Sequence, residues 1–424
     1  MEDLDADLAT LISNPDFFIL PASDDFASIP QDPLNPITAE KVELGKFLFH
    51  ETATGGNPKL KNDYDSEGTY SCASCHHVAA GFRAGRKQGL SEGGVGWGLV
   101  GEARVMNPKY EDYLDSLDVQ PIRSPTAMNG AYQDVMLWNG QFGATKSNAG
   151  TEANWTPGTP KAVNALGFEG LEIQAIAAQD VHRLKIDEDL LNEYPEYKDL
   201  FDAAYGTYDT DPQTIKELGG LAMAAYERIL LSNEAPFQQY LKGNKSALTD
   251  TQKRGAILFF GKAKCVQCHT GPALNSMAFE ALGINEMKGE GTFNTEGDKP
   301  ERFGRGSFTN NPDDNYKFKV PQLYNLKDDD FFGHGATFTS VRDIVEYKNQ
   351  AVPQNAEVPA SQLAEEFIPL DLTSEEVDQL TEFLEEALYD DNLVRYVPES
   401  LPSGFFFPVN DVDSQDDMGI MGGI

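Results

Sequence analysis

One five-residue pattern, present twice, constrains this chain more than any other feature. Cys72-Ala-Ser-Cys75-His76 and Cys265-Val-Gln-Cys268-His269 both read C-x-x-C-H, and together they use all four cysteines of the 424 residues. No cysteine is left for a structural disulfide. Two thiols three residues apart share one helical turn, where they can add to the two vinyl groups of a haem as thioethers. The adjacent imidazole then falls beneath the iron as an axial ligand. Zinc is one competing reading, but zinc knuckles pair within tens of residues, and these pairs lie in opposite halves of the chain. A redox dithiol is another, and it expects a βαβ setting that the flanking sequence lacks. The spacing therefore predicts two covalently bound c-type haems, attached through Cys72, Cys75, Cys265 and Cys268, with His76 and His269 on the irons.

The surroundings of the two motifs repeat as well. Residues 37–49 read ITAEKVELGKFLF and residues 248–259 read LTDTQKRGAILF. Each opens on a threonine N-cap and closes on Gly-x-x-Leu-Phe shortly before its C-x-x-C-H. Thr249 with Gln252 forms a capping box, as does Thr373 with Glu376 farther on. Downstream, RSPTAMN (123–129) resembles KVPQLYN (319–325), and Trp138-Asn139-Gly140 is followed at a similar offset by Gly333-His334-Gly335. A period this long means a duplicated domain, not a solenoid. The division predicted is an extension over 1–34, one unit over 35–245, a second over 246–400 and a tail over 401–424. Helical patterns run over 167–184 and 215–231, and Val377, Leu380, Leu384 and Leu388 share one helical face. Segments 57–70, 89–101 and 151–164 read as loops, rich in Gly, Pro, Asn and Thr. No convincing run of strands is present, so the fold class is mainly α with long loops.

Charge narrows the partners. Lys and Arg number 33 against 68 Asp and Glu, a net −35. That balance argues against nucleic acid and anionic membranes and suits a cationic protein partner or a saline habitat. No apolar run is long enough for a transmembrane segment. Attachment of haem c takes place outside the bacterial cytoplasm. The acidic start MEDLDADLATLISNPD has no signal-peptide pattern, so it reads as the mature form of a periplasmic or surface-attached protein.

SCASCHHVAAGF, GLSEGGVGWG, RSPTAMN, WNG, EIQA, CVQCHTGP and FKVPQLYN, in this order over residues 37–395, resemble the bacterial di-haem cytochrome c peroxidase and MauG superfamily. The resemblance implies two cytochrome-c-like helical domains. The N-terminal haem meets hydrogen peroxide, and the C-terminal haem takes electrons from a cytochrome c or similar cationic donor. It makes Trp138 the relay between the haems, where core packing is the plainer reading. It makes Gln174 a distal-pocket glutamine, where a helix-surface glutamine is the plainer reading. Beyond that glutamine the family places a catalytic glutamate, whereas this chain reads Val181-His182-Arg183. A base that takes and returns a proton, beside a cation, suits peroxide cleavage, and His182 with Arg183 supplies both. Two other readings of His182 stay open: sixth ligand of the N-terminal iron, or a helix histidine paired with a carboxylate such as Asp180.

His50 is expected to cap its helix or face solvent. His77, next to His76, is expected to contact a carbonyl or a propionate, and His334 is expected to sit near the second haem. Relatives use Met or Tyr as the sixth ligand of that haem, from a helix that here reads VRDIVEYKN. No methionine lies between Met287 and Met418, which leaves Tyr347 as metal-ligand candidate, although the alignment puts Lys348 at the position. An ordinary helix tyrosine is the alternative. An anionic or absent ligand would lower the potential relative to Met and lean toward MauG. Calcium between the domains is implied by the family, but Ile122-Arg123-Ser124-Pro125 lacks its asparagine, leaving backbone oxygens and carboxylates as donors. The family also allows a homodimer. The function expected is a di-haem peroxidase. The alternatives are a MauG-type enzyme oxidising a protein or organic substrate at long range, and a pure electron carrier.

Overall fold

Helices joined by long irregular segments carry the fold of the computed structural model, which describes residues 3–56, 58–60 and 66–419. In chain order the helices are α1 (Leu4–Leu11), α2 (Ala39–His50), α3 (Gly170–Val181), α4 (Glu188–Glu193), α5 (Pro195–Tyr205) and α6 (Pro212–Arg228). They continue as α7 (Pro236–Leu241), α8 (Asp250–Phe260), α9 (Gly306–Thr309), α10 (Val341–Gln350), α11 (Ser374–Glu382) and α12 (Val412–Asp417). Strands among the described residues form two short antiparallel pairs. These are β1 (Gly94–Val95) with β2 (Val105–Met106) and β3 (Phe279–Glu280) with β4 (Phe318–Lys319). The mainly α expectation holds. Part of the first expected loop, residues 57 and 61–65, lies outside the described residues.

Local signals set the helix starts. Thr249 Oγ1 accepts from the Gln252 amide at 3.2 Å while Gln252 Oε1 accepts from the Thr249 amide at 3.0 Å, and Thr373 with Glu376 does the same ahead of α11. Both boxes satisfy amides that a helix start leaves unpaired. The helix expected over 167–184 begins later, because Gly167 is left-handed at φ 87° and closes a preceding 3₁₀ turn. The apolar positions Val377, Leu380, Leu384 and Leu388 are all buried.

The repeated Gly-x-x-Leu-Phe pieces end α2 and α8 alike. A Cβ on Gly45 would stand 2.0 Å from the Ala222 carbonyl oxygen of α6, and one on Gly255 would stand 2.1 Å from the Gln379 carbonyl oxygen of α11. In both places glycine lets two helix backbones touch, and the following Leu and Phe fill the core beside the contact.

Two large cores result. One, with Leu44, Ile173, Phe201 and Ala222, lies within the first half and joins α2 to α6. The other gathers α8, α10 and α11 but also takes in Leu8, Phe18, Leu20 and Ile37. The extension therefore packs into the second half: Phe18 meets Phe260 edge-on at 5.2 Å, and Asp5 pairs with Lys253 of α8. The tail crosses the other way. Val409 bridges Tyr70, Ser74 Oγ donates to the Pro408 carbonyl at 2.7 Å, and Asp411 pairs with buried Arg104. Each chain end thus closes the half that is remote from it in sequence.

Candidate active site

The C-terminal motif follows α8 on a 3₁₀ turn, Cys265–Gln267, whose geometry sends the His269 amide back to the Cys265 carbonyl at 2.9 Å. The imidazole Nδ1 lies 3.2 Å from the Leu274 carbonyl and 3.1 Å from that of Pro321. Both partners are acceptors, so Nδ1 carries the proton and Nε2 keeps its lone pair. Burial pushes this imidazole down to about 3 and keeps it neutral. A cavity of about 640 Å³ opens beside it, in the size range of cofactor sites.

Helix α10 forms part of the cavity wall. Val341, Ile344, Val345 and Lys348 line it at spacings i, i+3, i+4 and i+7, which is one helical face. Tyr347 does not reach the cavity. Its hydroxyl donates to the Leu282 carbonyl and accepts from the Gln354 amide, and its ring packs on Phe338 and Phe367 at 5.0 and 5.3 Å. The Lys348 amine has no hydrogen-bond or carboxylate partner among the described residues, and burial pushes it downward.

Trp138 lines the same cavity. Its indole Nε1 donates to the Arg123 carbonyl at 2.8 Å, and its ring meets His334 edge-on at 6.2 Å. His334 is buried, stacks on Phe318 at 3.5 Å and accepts from the Arg123 amide through its carbonyl. The Arg123 side chain shares the buried carboxylate of Asp329 with Arg83. Two residues past Arg123, the Pro125 carbonyl is a hydrogen-bond partner of His76. One short segment therefore touches the indole at one end and the first motif's imidazole at the other.

The N-terminal motif repeats the turn. Cys72–Ser74 is 3₁₀, and the His76 amide donates to the Cys72 carbonyl at 3.0 Å. His76 Nδ1 donates to the Phe82 carbonyl at 3.3 Å, so its Nε2 is also unprotonated, and burial first of all lowers this imidazole to about 4. His182 is the C-cap of α3, and its charge bears on His76. Its Nδ1 lies 2.9 Å from the buried Asp118 carboxylate, which itself bears on Cys72 and Cys75. Burial alone would lower His182, but Asp118 outweighs it and the net shift is upward. The partner is thus Asp118 and not Asp180, which pairs with Lys216 of α6. Arg183 pairs with buried Glu92 and donates to the Ser116 carbonyl at 3.3 Å, so its charge is neutralised beside the Asp118–His182 pair. Gln174 is half-buried on α3, eight residues before His182.

These side chains fit two covalently held haems. All four thiols are unpaired, and burial raises each, Cys75 to about 12 and Cys265 to about 11, which suits neutral thiols rather than a reactive dithiol. Both motif imidazoles, His76 and His269, are preset with Nε2 free, as an iron ligand would need. Among the described residues no trio of His, Cys, Asp or Glu could cage a zinc ion. Neither nitrogen of buried His77 has a hydrogen-bond partner among the described residues, and its ring meets Trp97 edge-on at 4.6 Å, so the expected carbonyl contact is not made there. His50 meets the capping half of its expectation and not the solvent half. It is buried, with Nδ1 on the Lys46 carbonyl and its ring against Phe407 of the tail, because the tail covers the face that would meet solvent.

The family profile described as di-haem cytochrome c peroxidase matches residues 39–246. "Cytochrome-c peroxidase IdrP1" of Pseudomonas sp. (strain SCT) is 27% identical over 89% of this chain and 87% of its own length. "Methylamine utilization protein MauG" of Methylorubrum extorquens is 27% identical over 84% of this chain and 81% of its own. Residues 39–246 thus match the di-haem cytochrome c peroxidase family, and most of the chain is similar to peroxidases and MauG proteins. The fold agrees: a MauG-like protein associated with microbial copper homeostasis aligns with TM-score 0.60 at 21% identity, over 88% of this chain and 96% of that one.

Two groups here, Asp118 and Glu227, escape sequence reasoning, and a third, Lys348, is offered by the alignment but not chosen over Tyr347. Asp118 lies in a loop 64 residues from His182, and no local pattern pairs the two. Lys348 differs from Tyr347 by one helical step, and only the phase of α10 separates them. Glu227 of α6 is buried beside Cys72 and is pushed up to about 8, chiefly by burial and then by Glu172. Its helical neighbours gave no sign of this.

Proposed function

We propose that this chain is a di-haem c-type peroxidase that reduces hydrogen peroxide to water with electrons from a cytochrome c or similar donor. In this reading Cys72, Cys75 and His76 hold the peroxidatic haem, and Cys265, Cys268 and His269 hold the haem that takes electrons. When bound, haem iron supplies a coordination position for peroxide and the redox equivalents for its reduction.

The protein's own part is proton handling and positioning. His182 Nε2, left as a lone pair by the Asp118 bond, takes a proton from one peroxide oxygen and returns it to the other as the O–O bond breaks. Two electrons and two further protons complete two waters. Gln174 orients the substrate, and Arg183, tied to Glu92, positions the Asp118–His182 pair rather than acting as a free cation. Trp138 carries charge between the motifs through its place beside Arg123 and His334.

The observation that carries this reading is the His182–Asp118 pair held next to His76. It is tested with His182→Ala in the holoprotein. The expected result is a large loss of peroxide turnover with the haem content intact, and unchanged turnover would refute the role.

A MauG-type activity is the second reading, supported by the absence of methionine on α10. Stopped-flow reaction of the peroxide-treated protein with reduced cytochrome c, against candidate protein substrates, separates the two. The reading also includes a periplasmic location and a duplicated architecture, with units over 35–245 and 246–400.

A further inference from the structure

We propose that Lys348 Nζ is the second axial ligand of the C-terminal haem iron, with His269 Nε2 as the first. The inference rests on haem c being fastened at Cys265 and Cys268.

Helix phase supplies the first argument. Of the four α10 side chains on the cavity wall, Val341, Ile344 and Val345 have no donor atom, and Lys348 alone does. Tyr347 points elsewhere, with its oxygen saturated by Leu282 and Gln354. Partnership supplies the second. Lys348 is half-buried with no hydrogen-bond or ion-pair partner among the described residues, so its amine is free to meet a group held in the cavity. Several other polar groups lining the cavity are engaged: Lys319 donates to Gln133 and Val135, Lys262 pairs with Glu376, and Asp329 with Arg83 and Arg123, while His334, whose Nε2 has no hydrogen-bond partner among the described residues, is held by stacking on Phe318. Position supplies the third. Lys348 is the cation whose charge bears on Cys265, Cys268 and His269 alike, so it faces the whole motif.

Coordination requires the ammonium to release one proton to solvent, after which the amine lone pair forms the bond to iron. An amine is a strong σ-donor without the thioether's preference for reduced iron. It would give a low-spin ferric centre of lower potential than a Met-ligated one.

The test compares wild type with Lys348→Ala, Lys348→Arg and Lys348→Met as matured holoproteins. Haem is counted by pyridine haemochrome, and ligands are read by ferric EPR and near-infrared magnetic circular dichroism. The expected wild-type spectrum has an amine-plus-imidazole low-spin species. That species is lost in Lys348→Ala, and also in Lys348→Arg, which keeps the charge but cannot coordinate. In Lys348→Met a thioether charge-transfer band replaces it and the midpoint potential rises. The wild-type spectrum alone decides the matter if a variant fails to mature, since tyrosinate, thioether or high-spin signals at that haem overturn the proposal. Unchanged spectra with two haems per chain overturn the ligand but leave the peroxidase reading standing. A chain that carries no haem at Cys265 and Cys268 overturns both.

Discussion

The bond between His182 Nδ1 and Asp118 decides which imidazole nitrogen is free, and it also sets the protonation of the ring. Asp118 raises His182, so the neutral form needed for a base appears only above that raised value. Asp118→Asn removes the opposing carboxylate and lets burial lower the ring. The acid limb of the pH–kcat/KM profile is then expected to move to lower pH, while turnover at neutral pH falls by about 10–100-fold as orientation is lost. His182→Ala should cost more, about 10²–10⁴-fold. A profile whose acid limb stays in place in Asp118→Asn would dissociate this pair from catalysis. Glu227 gives a second titration, read as stability. Its carboxyl sits at about 8 when folded against an ordinary 4.5, so the native state holds the proton that the unfolded state releases. Stability is therefore expected to fall as pH rises from about 4.5 to about 8, at roughly 1.4 kcal/mol per unit at most. Glu227→Gln should match wild type near pH 4.5 and exceed it at pH 8 by a few kcal/mol, measured by urea midpoints. At this scale the residues proposed to attach the haems stand out in the sequence, because their pattern is local. Asp118 and Glu227 were hidden because burial and distant partners give them their character, and Lys348, which the alignment offers beside Tyr347, is singled out only by the phase of α10.

Helices were legible where their own ends announce them. Thr249 with Gln252 and Thr373 with Glu376 form the capping boxes that their spacing predicts, and both act within one turn. The start of α3 falls three residues later than expected, because left-handed Gly167 still closes the preceding 3₁₀ turn and the extended Glu169 is the true N-cap. The repeated glycines were visible as a motif, but their purpose was not. Only the α2–α6 and α8–α11 contacts reveal that each Cα faces a carbonyl of the partner helix. Backbone cannot step aside as a side chain can, so Gly255→Ala must separate α8 from α11 or distort one of them. Overpacking of this kind costs about 1–3 kcal/mol. Gly45→Ala should cost a similar amount at the α2–α6 contact, and with no shared partner the two losses should add within about 0.5 kcal/mol. Denaturant unfolding of the two single variants and the double variant checks both claims. A neutral Gly255→Ala would mean that the close approach is not a stability determinant.

The whole molecule differs from two beads on a string, since α1 and the following residues complete the core around α8, and residues 401–419 cover the first motif's surroundings. Nothing in the sequence foretold this crossing, because it depends on contacts between residues hundreds of positions apart. Charge, in contrast, was readable from composition, and the structure sharpens its meaning. Of 33 Lys and Arg, the buried Arg83, Arg104, Arg123, Arg228 and Arg305 serve internal carboxylates and carbonyls, so cations are scarcer still at the surface. A protein at −35 presents a long-range field that attracts a basic donor and leaves neutral peroxide indifferent. The field reaches about 30 Å at 0.01 M salt and about 8 Å at 0.15 M. The second-order rate of electron entry from a basic cytochrome c should therefore fall by about tenfold or more across that range, while the bimolecular rate with peroxide stays constant. Stopped-flow traces at both ionic strengths test the two rates in one preparation. Equal salt dependence would show a general effect on the protein, and no dependence in either would remove electrostatic steering from the account of how electrons arrive.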